Sequence, residues 1–136
     1  MASPDMIWNI VRDTSSFIVK QQVSGRSGMG KRGAEFTTEP LNPTSRNAFK
    51  YSGLANPKAV DVTPIEGGVQ LVMKTKNAAR AGKPNKALNK SDIKHGVPRK
   101  VAKAIVKNTE TNFYRPDLTK AVLAKWSLLA KAAKKK

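Results

Sequence analysis

Hydrophobic positions change their spacing several times along this chain, and each change predicts an element. Met6, Ile7, Ile10 and Val11 recur at helical intervals, which predicts a helix over residues 3–12. Ser3 is placed to cap it, Pro4 fits its first turn and Asp5 complements its dipole. These large apolar side chains read as core, with Trp8 anchoring the helix on a sheet. "SSFIVKQQV" and "EFTTEP" then carry β-branched and aromatic content, and predict two strands of a hairpin, the second ended by Pro40. "NPTSRNAFKYSGL" is turn-rich, with room for one helical turn before Phe49.

The clearest alternation lies in "AVDVTPIEGGVQLVMKT". Val60 and Val62 alternate, Gly67-Gly68 supplies a turn, and Val69, Leu71 and Met73 alternate again. The pattern then stops. Residues 74–90 hold only Leu88 as a sizeable apolar group, so this stretch is expected to be extended, or disordered without a partner. Ser91 and Asp92 are a weak helix start, interrupted by Gly96 and Pro98; the firmer start is near Pro98. Val101, Ala102, Ile105 and Val106 line one face of that helix, and Pro116 breaks it. Asp117 is placed to cap a last helix striped by Leu118, Val122, Trp126, Leu129 and Ala133. Lys125 falls inside that apolar arc. The predicted fold is α+β: a small antiparallel sheet with an N-terminal helix, then an extended basic segment and two C-terminal helices. The organisation is a small α+β domain over 1–75, a basic extended linker over 76–97 and a basic helical extension over 98–136.

Charge turns this outline towards a function. The 136 residues carry 26 Lys and Arg against 9 Asp and Glu, a net +17. Residues 1–72 hold 8 basic and 6 acidic residues, so they are nearly neutral. Residues 73–136 hold 18 basic and 3 acidic residues, a net +15. That exceeds the net magnitude of about 2–8 that serves solubility in a small domain. A polyanionic partner is the natural reading, bound through phosphate contacts and counterion release. The absence of Cys excludes disulfides and thiolate metal sites. A lone His and scattered carboxylates give no catalytic constellation. No apolar run approaches the roughly 20 residues of a membrane span, and "MASPDMIWNIVRD" lacks the basic start and apolar core of a signal peptide. The expectation is therefore no enzyme, no cofactor, no metal, no small-molecule substrate and no membrane.

One motif argues otherwise and fails. Gly25, Gly30 and Lys31 fit the start of a P-loop, and Gly28, Gly30 and Gly33 fit a dinucleotide fingerprint. Arg32 stands where the P-loop needs a hydroxyl for Mg²⁺, and neither pattern is followed by a helix start. What remains is a hairpin tip whose Arg26, Lys31 and Arg32 are candidates for a peripheral RNA contact.

Three stretches resemble the eukaryotic large-subunit ribosomal protein twenty-eight family: "IWNIVRDTSSFIVKQ", "FTTEPLNPTSRNAFKYSGLANPKAV" and "NFYRPDLTKAVLAKWSLLAK". They fall in order and span nearly the whole chain. Between 74 and 108 only basic character and length correspond, and the loop 24–33 is longer than is usual in that family. The resemblance implies a non-catalytic component of the cytosolic large ribosomal subunit, assembled in the nucleolus, bound to ribosomal RNA and to neighbouring ribosomal proteins. Charge and resemblance together select Lys74, Lys76, Arg80, Lys83, Lys86, Lys90, Lys94, His95, Arg99, Lys100, Lys103 and Lys107 as RNA-binding candidates. Tyr114 and Arg115 join them as groups suited to stack on or hydrogen-bond to exposed bases, with packing between the two helices an equal reading for Tyr114. A pre-ribosome assembly factor is the alternative reading, ahead of a basic DNA-compacting protein and a nucleotide-hydrolysing enzyme.

Overall fold

A computed structural model describes residues 2–20, 35–75, 83, 86–94 and 97–134. Helix α1 covers Pro4–Thr14, and the Ser3 hydroxyl accepts from the Met6 amide at 3.3 Å. The start signals are used as expected, but the packing is not. No residue of α1 is buried, and Met6 and Ile10 are 58% and 64% exposed. The contacts of α1 run instead to the segment around Asn47, whose Nδ2 donates to the Arg12 carbonyl at 2.8 Å. Strand β1 (Ile18–Lys20) pairs antiparallel with β2 (Glu35–Thr37), giving three residues per strand. Trp8 does anchor the helix, through a tilted contact with the Phe49 ring at 6.0 Å rather than through a sheet. The Gly-rich tip, with Arg26, Lys31 and Arg32, lies outside the described residues.

Side chains, not regular structure, hold the segment after β2. Buried Glu39 accepts from Asn42 Nδ2 at 3.0 Å and from Ser52 Oγ at 3.2 Å. Asn42 also donates to the Arg46 carbonyl, and its Oδ1 accepts from the Thr44 amide. Gly53 is required here, because an added Cβ would collide with the Pro40 carbonyl oxygen. A single 3-10 turn forms at Phe49–Tyr51, beginning at Phe49 rather than ending before it.

Strands β3 (Val60–Ile65), β4 (Gly68–Lys74) and β5 (Leu88–Lys94) form an antiparallel sheet in that order. Gly67 turns β3 into β4 with φ +73°, a conformation that glycine adopts without strain. Gly68 faces Lys94 across the β4–β5 pairing, with no room for a Cβ beside the Ile93 carbonyl. Strand β5 corrects the sequence reading. Residues 88–90 are extended as expected, but paired and with Leu88 on the core, and Ser91 and Asp92 lie in the strand rather than starting a helix. Edge pairing is satisfied by backbone groups and asks little of side chains. Leu88 packs on a small cluster of Leu41, Ala59 and Val72, while Ile93 packs on the main core across the sheet.

That main core joins the sheet to the C-terminal helices. Val60, Val62, Val69 and Leu71 meet Val101 and Ile105 of α2 (Pro98–Val106) and Val122 of α3 (Thr119–Lys134). Helix α2 starts at Pro98 as expected, then widens into a π turn at Lys107–Thr111. A 3-10 turn at Pro116–Leu118 leads into α3. Asp117, expected to cap that helix, instead binds Arg115 through its carboxylate. Lys125, the cation in the apolar arc of α3, reaches buried Asp61 on the β3 edge at 2.6 and 2.8 Å.

Candidate nucleic-acid interface

The basic candidates separate into three groups. Arg99, Lys100, Lys103 and Lys107 are exposed on α2 and the start of its π turn, while Val101 and Ile105 on the same helix are buried. Helical spacing thus presents four cations outward from a helix fixed by its other face. Lys90 and Lys94 are exposed on β5, together with Asp92, which accepts from Gln70 Nε2 at 2.6 Å. By alternation these three belong to the sheet face opposite the helices, so the cations cover more than one side of the fold. Lys83 and Lys86 are exposed ahead of β5. Lys76, Arg80 and His95 lie outside the described residues.

The other three candidates are built into the fold. Tyr114 is 4% exposed, and its hydroxyl lies 2.7 Å from the Lys74 carbonyl and 3.3 Å from that of Ala59. Its ring has no face open to a base, because it is the wedge between the helical hairpin and the sheet. Burial pushes the phenol pKa up, partly offset by those carbonyl contacts and by the Arg115 charge. Arg115 spans the molecule: Nη1 donates to the Lys58 carbonyl, Nη2 to that of Lys50, and Nε to Asp117, all at 2.8 Å. It acts as a clamp between distant segments. Lys74 is half-buried, with Nζ donating to the Asn56 carbonyl at 2.8 Å. Desolvation lowers its pKa, and the nearby Glu39 charge raises it in part.

Further exposed residues lie outside the expected set. Lys50 and Lys58 come from the nearly neutral half, yet the Arg115 clamp fixes their backbone beside the helical hairpin, with both side chains exposed. Lys120 and Lys131 are exposed on α3. Phe113 is 82% exposed beside buried Tyr114. Sequence reasoning weighed Tyr114 and Arg115 and passed over Phe113; its bulk, unaccounted for by any stripe, was the available signal. A cleft of about 240 Å³ opens nearby, lined by Met73, Lys74, Thr75, Asn89, Asn108, Asn112 and Tyr114. Among the described residues no group of three or more His, Asp or Glu is placed to hold a metal ion. No described helix is long and apolar enough to cross a membrane.

A small α+β core tied in places by buried polar groups, with cations facing outward, defines a class: a basic α+β protein with exposed cations on more than one side. Residues 6–132 match the Ribosomal L28e protein family, and the chain belongs to that family. It is 36% identical over 135 residues to the large ribosomal subunit protein eL28 of Schizosaccharomyces pombe, covering 98% of this chain and 95% of that one. The protein of the same name from Caenorhabditis elegans is 40% identical over 91 residues, covering 67% and 63%. That from Dictyostelium discoideum is 28% identical over 123 residues, covering 90% and 83%.

Proposed function

We propose that this protein is a non-catalytic structural constituent of the large ribosomal subunit. It binds ribosomal RNA through the cations of its C-terminal half and thereby supports translation. It works on the cytoplasmic ribosome after assembly in the nucleolus, among neighbouring ribosomal proteins. The observation that carries this reading is the alignment over 95% of a relative whose name is large ribosomal subunit protein. The net +15 of residues 73–136 supports it, and so do the outward cations of α2 and β5. Phosphate contacts of this kind fix position and orientation and read little sequence.

Sedimentation of the tagged protein through a sucrose gradient tests the reading. The expected result is co-migration with large subunits and polysomes, retained after washing at moderate salt. Protein left at the top of the gradient sinks it. Presence in nucleolar particles with absence from polysomes replaces it with an assembly factor.

A further inference from the structure

Phe113 is held in a conformation and an environment that folding alone does not favour. Its φ is +47°, in the left-handed region that bulky residues avoid. The backbone around it is pinned. Its amide donates to the Glu110 carbonyl at 2.9 Å, and the amides of Tyr114 and Arg115 both donate to the Thr109 carbonyl, at 3.1 and 3.2 Å. The chain reverses here so that Tyr114 enters the core. A left-handed residue after a helical segment suits that reversal, and glycine or asparagine is the usual occupant. A phenylalanine adds strain and leaves most of an aromatic ring in water, and neither serves the turn. Strained residues persist where the surrounding structure over-determines them, and they cluster at functional positions.

We propose that Phe113 is a stacking platform for one unpaired base of ribosomal RNA. The inference rests on the RNA-binding reading above and adds the residue that meets a base. Aromatic rings set among cations are the recurring device for single-stranded nucleic acid, because every base offers a π face while cations hold the backbone. Phe113 follows a helical segment that carries such cations. Arg99, Lys100, Lys103 and Lys107 lie on the helix leading to it, and 98–134 holds nine basic residues against two acidic ones. A protein partner fits less well. Energetic anchors of protein interfaces sit within a ring of packed contacts that exclude water. Here the adjoining Thr111 and Asn112 are polar and exposed.

The test uses the full-length protein and ribosomal RNA stripped from large subunits. Phe113→Asn keeps the turn and removes the ring. Its RNA affinity is expected to fall about 5- to 150-fold. The slope of affinity against salt is expected to be unchanged, because the ring neutralises no phosphate. The urea midpoint of the variant is expected to hold or rise, which separates loss of stacking from loss of folding. Phe113→Trp should retain the affinity. Wild-type affinity in Phe113→Asn overturns the proposal. So does a photo-crosslinking phenylalanine analogue at position 113 that, in assembled subunits, labels protein and not RNA. A wild-type protein that does not bind the RNA sinks the ribosomal-RNA reading itself, and the stacking proposal with it.

Discussion

Single residues hold this fold at joints rather than along elements, and Tyr114 and Arg115 are the main ones. Tyr114→Phe removes the hydroxyl shared by the Lys74 and Ala59 carbonyls, and is expected to cost about 1 kcal/mol, read as a lower urea midpoint. Asp117 adds a pH dependence. The Arg115 hydrogen bond, above all, holds its carboxyl below the ordinary 3.8, against a smaller upward push from burial. The folded state therefore favours the carboxylate. Its contribution is fully present above 3.8 and is lost as pH falls through the depressed value. Urea midpoints between about pH 5 and about pH 2 should fall more steeply in the wild type than in Asp117→Asn. Parallel profiles would show that the Arg115 pairing is as strong in the unfolded chain.

At the scale of elements, the one charge inside the apolar stripe of α3 ties that helix to the sheet. Lys125 pairs with Asp61 at 2.6 Å, and Asp61 is buried. Lys125→Met alone is expected to cost about 3 kcal/mol, because it strands a buried carboxylate. Adding Asp61→Asn should recover part of that loss, and a double-mutant cycle by urea denaturation measures the coupling. A loss in the double variant equal to the sum of the two single losses would show that the pair contributes nothing. The pattern of apolar positions made most of these elements legible. Gly67-Gly68 between two alternating runs gave β3 and β4, Pro98 gave the start of α2, and the Leu118–Leu129 spacing gave α3. Strand β5 was not legible, because its stabilisation is backbone pairing to β4 and its side chains are mostly Lys, Asn, Ser and Asp. The core reading of α1 failed for the opposite reason. Its periodicity is real, but no residue of the helix is buried, and its aromatic anchor is the Phe49 ring rather than a sheet. Of the candidate surface, the cations of α2 and β5 were selected by charge and resemblance, and the structure leaves them exposed. The burial of Tyr114 was not legible, since an amphipathic aromatic beside a helix break gives no sign of which way its ring points.

For the whole molecule, the decisive fact is that charge and core are interleaved. The helix that carries Arg99, Lys100, Lys103 and Lys107 also supplies Val101 and Ile105 to the sheet. Composition changes near residues 75 and 97, but the main core crosses both points. Replacing those four cations by Gln should therefore weaken RNA binding and leave folding intact. The slope of log affinity against log salt should drop by up to about 3, given roughly 0.7–0.9 for each phosphate no longer neutralised. Filter binding across a salt series reads it, and an unchanged slope would mean that these side chains face solvent in the complex. The same interleaving has a consequence in time. A ribosome makes a chain from its N-terminus at roughly 5–20 residues per second. The sheet is synthesised through Lys94 well before Leu118 and Val122, the residues that close over Val60, Val62 and Leu71. For a period on the order of seconds the emerging sheet displays a bare apolar face, on a chain whose basic residues are accumulating fastest. Newly made copies thus pass through a stage in which they are sticky in two senses, to oil and to polyanions, and the last helix to be made relieves the first.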